Sequence, residues 1–184
     1  MRKINRDIEN PFDNILLDIS EKVAPFFKKT NHTPNLITLY SAITAIFSMY
    51  SLYNKSFSTF SITWILAYFF DSLDGYFARK YNMVTKLGDK LDHGKDTLMW
   101  IITGIILYNK YNIPRHIFLI FVLICIFCIK QMGCQQKLYI DSKISESINV
   151  YSKFCKTTSD INFTRYFGGG TVYLFVILMV YLGK

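Results

Sequence analysis

At 184 residues the chain is long enough for one compact domain and little more. It is 51% hydrophobic and 17% aromatic with a mean hydropathy of +0.22, which excludes an ordinary soluble domain and points to a membrane. A net charge of +8 would suit a nucleic-acid binder if it lay along one soluble face, but the basic residues sit between apolar stretches, so anionic membrane lipid is the expected partner and no nucleic acid is expected.

Residues 1–9 are charged and lack the apolar core of a secretory signal peptide. Asn10, Pro11 and Asp13 then read as a helix start: a capping side chain, a proline at the first helical position and an acid near the positive end of the dipole. Phe12, Ile15, Leu16, Ile19, Val23, Phe26 and Phe27 recur at helical spacing, with acids and lysines opposite them. The segment predicts an amphipathic helix lying in the membrane interface. The expected division is an N-terminal cytosolic segment over residues 1–34 and a transmembrane domain over 35–184.

Spanning helices are predicted over about 35–53, 57–78, 90–108, 113–129 and 166–182, each near the length that crosses a bilayer when tilted. The fold class is therefore all-α integral membrane protein: an interfacial helix followed by a bundle of five or six transmembrane helices. The sixth would fall within 140–156, in the long polar connection over 131–165, where 145–154 otherwise reads as a short interfacial helix. Gly168, Gly169 and Gly170 open the last span, where small residues permit close helix contact or line a cleft. Cys125 and Cys128 read as packing residues, and the four cysteines imply no disulfide framework. His32, His116 and Arg165 read as interfacial residues.

Lys and Arg fix the orientation. Six lie in 1–35, five in 79–95 and six in 130–165, leaving only Lys55, Lys110, Arg115 and Lys184 for the other side. The positive-inside tendency puts the N-terminus and the 79–95 region in the cytosol.

The chemistry is concentrated in Asp71-x2-Asp74-Gly75-x2-Ala78-Arg79-x8-Gly88-x3-Asp92-x3-Asp96. Asp71, Asp74 and Ala78 share one helical face, and Asp92 and Asp96 share a face of the next helix. Carboxylates at a bilayer edge are costly, and a cluster of them repels itself, so a bound divalent cation is the natural compensation. All-oxygen ligation suits Mg²⁺ or Mn²⁺ rather than zinc. Gly75, Ala78 and Gly88 leave room for a bulky ligand, and Arg79 matches phosphate. Together these point to a diphosphate-containing substrate. Asp96 lies one turn deeper than Asp92 and is the candidate general base.

This run resembles the CDP-alcohol phosphotransferase (CDP-alcohol phosphatidyltransferase) family motif at all eight fixed positions, and Thr33-Pro34-Asn35-Leu36-Ile37-Thr38 resembles the family's entry into its first span. The resemblance implies an intramembrane enzyme of phospholipid synthesis that transfers a substituted phosphate from a CDP-linked donor to an alcohol and releases CMP. By matched position Asp71, Asp74 and Asp92 would be metal ligands and Asp96 a ligand or the base. Gly75, Ala78, Arg79 and Gly88 would contact the CDP moiety, with Asn35 and Thr38 helping to hold the nucleotide. A homodimer is implied as well.

Leu91-Asp92-His93-Gly94-Lys95-Asp96 resembles the branch that passes phosphocholine or phosphoethanolamine to diacylglycerol, and His93 there would assist proton transfer. The alternative branch passes a phosphatidyl group from CDP-diacylglycerol to inositol, serine or glycerol phosphate. Readings of other classes are a cation transporter, which would spread its acids over several helices near the midplane, and a non-catalytic lipid-binding protein, which has no need of the Gly, Ala and Arg spacing.

Overall fold

The computed structural model describes residues 1–138, 149–155 and 157–183, which form helices with no strand among them. In chain order these are α1 (Pro11–Lys29), α2 (Pro34–Tyr53), α3 (Phe57–Lys80), α4 (Lys86–Lys110), α5 (Arg115–Leu138), the short α6 (Ile161–Thr164) and α7 (Gly169–Leu182). Short 3-10 turns occupy Arg6–Ile8, Asn149–Phe154, Thr158–Asp160 and Arg165–Phe167.

Local chemistry sets the starts of α1, α2 and α4. Asn10 accepts hydrogen bonds from the amides of Phe12 (3.0 Å) and Asp13 (3.3 Å), with Pro11 in the first turn. Such a cap contributes about 1 kcal/mol. Thr33 caps α2 through the Leu36 amide, ahead of Pro34. Thr85 caps α4 by accepting from the Gly88 amide at 3.0 Å, so α4 begins at Lys86 rather than near Lys90, and Asp92 and Asp96 sit in its second and third turns. The reversal between α3 and α4 turns on Asn82, whose φ of 54° lies in the left-handed region that asparagine tolerates.

The architecture is that of an all-α membrane protein. Pro34–Tyr53, Arg115–Leu138 and Ile161–Leu182 are long and apolar enough to cross a bilayer. In α3 and α4 the aspartates and basic residues occupy one end and break the apolar run, while Ile62 and Leu66 on α3 and Leu98, Ile101, Ile105 and Tyr108 on α4 face outward. Ile43, Ile46 and Phe47 on α2 and Phe118, Leu119 and Leu123 on α5 do the same. Outward apolar faces of this extent are what lipid contact requires.

Within the bundle α2 packs against both α3 and α4, and α7 closes against α3 and α5. The core is aromatic: Trp64 is fully buried, its ring 5.5 Å from Trp100 and 4.8 Å from Tyr173, and Tyr68 stacks on Tyr173 at 3.9 Å. In lipid, where apolar transfer contributes little, such close ring packing and the 3.1 Å bond from Trp64 Nε1 to the Tyr173 carbonyl hold helices together.

α1 lays Leu16, Leu17 and Ala24 inward and leaves Ile15, Ile19 and Phe26 exposed, as an interfacial helix would. It is locked to α7. Asn10 Nδ2 donates to the Arg165 carbonyl (2.7 Å) and Thr171 Oγ1 (2.9 Å), and Asp13 accepts from the Gly170 amide (2.9 Å) and the Tyr68 hydroxyl (2.7 Å). Cβ atoms at Gly168 and Gly169 would fall 2.8 Å from Asn10 Cβ and 2.6 Å from the Tyr68 hydroxyl, which favours close packing over a cleft as the role of the glycines.

Other boundaries differ from the sequence expectation. α5 continues to Leu138, past the apolar stretch that ends near Ile129, because Gln131, Cys134 and Gln136 bury themselves against neighbouring segments. α7 starts at Gly169, after a 3-10 turn that occupies Arg165–Phe167. Cys134 and Cys155 form a disulfide, while Cys125 and Cys128 are free. The alternative span over 140–156 lies largely outside the described residues, as does the first part of the expected helix over 145–154, whose remainder, Asn149–Phe154, is a 3-10 helix. Among the described residues five long helices follow α1.

Candidate active site

Asp71 and Asp74 stand near the end of α3, and Asp92 and Asp96 near the start of α4, so the antiparallel pair brings all four to one end of the bundle. Carboxylate oxygens of Asp71, Asp92 and Asp96 lie within 4.8 Å of one another. Asp74, only 4% exposed, accepts a 2.6 Å hydrogen bond from Thr38 Oγ1. One ammonium enters the group. Lys95 Nζ bonds Asp71, donates to Asp92 Oδ1 at 3.1 Å and to Ser41 Oγ at 3.0 Å, and lies 3.2 Å from Asp96 Oδ1. Four carboxylates against one ammonium leave excess negative charge in a sheltered place, and Asp96 Oδ1 is buried without a hydrogen-bond partner. Oxygen donors with that surplus fit a hard divalent cation.

A cleft of about 160 Å³ opens beside the carboxylates. Its wall includes Asn35 and Thr38 of α2, Asp74, Gly75, Ala78 and Arg79 of α3, and Gly88, Asp92 and His93 of α4. The six residues expected to contact a nucleotide thus share one wall with two of the aspartates. A Cβ at Gly75 would come within 3.0 Å of Arg79 Nη1, so the missing side chain lets the guanidinium fold back over α3. Arg79 Nε also donates to the Met1 carbonyl at 2.9 Å. At Gly88 a Cβ would meet Asn35 Oδ1 at 3.1 Å, so glycine there lets the starts of α2 and α4 approach. His93 lies 3.7 Å from Asp92 and 3.8 Å from Asp89, and its Nε2 is buried without a hydrogen-bond partner.

A second, more polar cavity of about 220 Å³ meets the first at Lys3, Asp74, Gly75, Arg79 and Asp92. Lys3, Glu9, Asp13, Tyr68, Asp71 and Gln135 line it. Burial and the neighbouring Arg79 charge push Lys3 down to about 8. Burial raises Glu9, which accepts from the Asn10 amide (3.0 Å) and Gln135 Nε2 (2.8 Å), and raises Asp13 to about 7. Asp96 lines neither cavity and reaches them through Asp71, Asp92 and Lys95.

Residues 31–182 match the family described as CDP-alcohol phosphatidyltransferase. The chain belongs to this family. A protein of Aquifex aeolicus (strain VF5), described as an uncharacterized protein, is 33% identical over 79 residues, which are 43% of this chain and 40% of that relative, so the match spans less than half of the relative's length. No solved structure matches. Placed in the CDP-alcohol phosphatidyltransferase family, the motif residues all lie inside the matched region, while α1, which contributes Asp13 to the second cavity, precedes it.

Three participants escaped the sequence reading. Lys95 lies three residues after Asp92, a spacing that shares a helical face, and that signal was there to be used. Ser41 sits one turn beyond Thr38 on α2 and was equally accessible to periodicity. Lys3 carried no signal, because its place depends on how the segment before α1 folds back over α3.

Proposed function

We propose that the chain is an Mg²⁺- or Mn²⁺-dependent intramembrane transferase of phospholipid synthesis, moving a substituted phosphate from a CDP-linked donor to an alcohol with release of CMP. The observation that carries the reading is the cleft in which Asn35, Thr38, Gly75, Ala78, Arg79 and Gly88 share a wall with Asp74 and Asp92. Asp71, Asp74, Asp92 and Asp96 would hold the cation. When bound, it would neutralise charge on the diphosphate and on the departing CMP. Arg79 pairs with phosphate oxygens, and the small residues let the nucleotide approach the backbone. Asp96 takes the proton of the acceptor hydroxyl, with His93 as a proton carrier at the cleft. The alcohol oxygen bonds to phosphorus as the phosphoanhydride bond to CMP breaks. The distribution of Lys and Arg supports a cytosol-facing site, and family resemblance supports a homodimer.

The donor branch has two readings. Asp92-His93-Gly94-Lys95-Asp96 supports CDP-choline or CDP-ethanolamine as donor and diacylglycerol as acceptor. The polar second cavity, with Lys3, Glu9 and Gln135 on its wall, supports the reverse arrangement, in which CDP-diacylglycerol gives a phosphatidyl group to inositol, serine or glycerol phosphate. Purified protein in lipid, given each donor with its acceptors, decides between them: the donor that yields both CMP and the phospholipid is the substrate.

A further inference from the structure

Lys95 is paired with the same three carboxylates that a cation would need. Its ammonium contacts Asp71, Asp92 and Asp96, the three carboxylates grouped within 4.8 Å, and its fourth neighbour is Ser41 Oγ. The side chain is only 11% exposed, so this is not a solvated surface pair. Ser41 Oγ in turn donates to the Ala67 carbonyl at 2.9 Å, which holds the hydroxyl where the ammonium meets it. An ammonium and a divalent ion cannot share one set of oxygens at contact distance without repelling each other.

We propose that Lys95 is a tethered counter-cation: it holds the acidic cluster together when no metal is bound and has to withdraw from Asp71, Asp92 and Asp96 for a divalent ion to enter. Without it, the facing carboxylates of α3 and α4 would repel one another at this end of the bundle, away from the Trp64, Trp100 and Tyr173 rings that pack the two helices together. Lys95 thereby favours a folded metal-free site at the expense of metal affinity. It is a positioning residue, acting through the carboxylates. The inference rests on the metal-holding part of the proposed function and on nothing in the transfer reaction.

The test is Mn²⁺ binding to the full-length protein in lipid nanodiscs without substrate, read from the electron-spin signal of free Mn²⁺. Wild type is compared with Lys95→Met, which keeps the length and removes the charge, and with Lys95→Arg, which keeps the charge. Lys95→Met is expected to bind Mn²⁺ about tenfold tighter or more, because a unit charge beside the ion is gone. Lys95→Arg is expected to bind no tighter than wild type. The metal-free thermal midpoint of Lys95→Met should fall while its Mn²⁺-saturated midpoint matches wild type, an effect a purely structural lysine would not produce. Equal or weaker Mn²⁺ binding by Lys95→Met, or the same gain in Lys95→Arg, overturns the proposal and leaves the metal site standing. Absence of Mn²⁺ binding in wild type and Lys95→Met alike removes the metal site and the proposal together.

Discussion

Thr38 Oγ1 donates a 2.6 Å hydrogen bond to Asp74 Oδ2 and so joins α2 to α3 at the edge of the cleft. The same hydroxyl lies 3.1 Å from the Pro34 carbonyl, one turn back on its own helix, which limits its rotation. Asp74 is nearly buried, and this bond fixes which way its carboxylate faces. The residue expected to touch the nucleotide therefore also orients an expected metal ligand.

Thr38→Val removes the hydroxyl and keeps the branched shape. A hydrogen bond to a charged group contributes about 1.5–3 kcal/mol, so Mn²⁺ or donor affinity should fall by about tenfold or more, while Thr38→Ser stays near wild type. Metal titration of the two variants, with thermal unfolding as the check on folding, measures this. Equal affinity in Thr38→Val would mean that Asp74 does not depend on the bond.

Gly170 is the tightest point between α1 and α7. A Cβ there would meet Asp13 Oδ1 and fall 2.9 Å from Phe12 Cβ. Gly170→Ala should cost about 1–3 kcal/mol through overpacking and strain on the Asp13 bond. Gly94, with nothing within 4 Å of an added Cβ, is the control: Gly94→Ala should leave the unfolding temperature unchanged or raise it. Detergent-solubilised protein followed by thermal unfolding separates the two.

How much of this was legible in the sequence follows from range. The aspartate motif was readable because both pairs have helical spacing and their helices are neighbours in the chain, so Asp71 and Asp92 had to end up close. The Asn10 start of α1 was readable because a cap acts over three residues. The ties from Asn10 and Asp13 to Arg165, Gly170 and Thr171 were not, because they cross more than 150 positions and depend on how the bundle closes. The start of α4 was misplaced because the Thr85 cap lies within a polar stretch where hydrophobic period gives no signal. Cys134 and Cys155 pair across 21 residues, a separation that carries no pattern.

Asp13 gives the bundle a pH dependence. Burial raises its carboxyl from the ordinary 3.8 to about 7, so between those values the folded protein binds a proton that the unfolded chain has released. Stability therefore falls as pH rises from about 4 to about 7. Asp13→Asn should flatten this part of the stability profile, measured by denaturant or thermal unfolding at several pH values. A slope unchanged in Asp13→Asn would assign the effect to another group.

The most direct test of the central claim is CMP release by the purified protein in lipid, with and without Mg²⁺ or Mn²⁺, beside Asp96→Asn. The account predicts metal-dependent CMP release with one of the two donor classes, and none from Asp96→Asn even though that variant remains folded. Full activity in Asp96→Asn would remove Asp96 as the base. Folded, metal-loaded wild type that releases no CMP from either donor class would contradict the transferase reading.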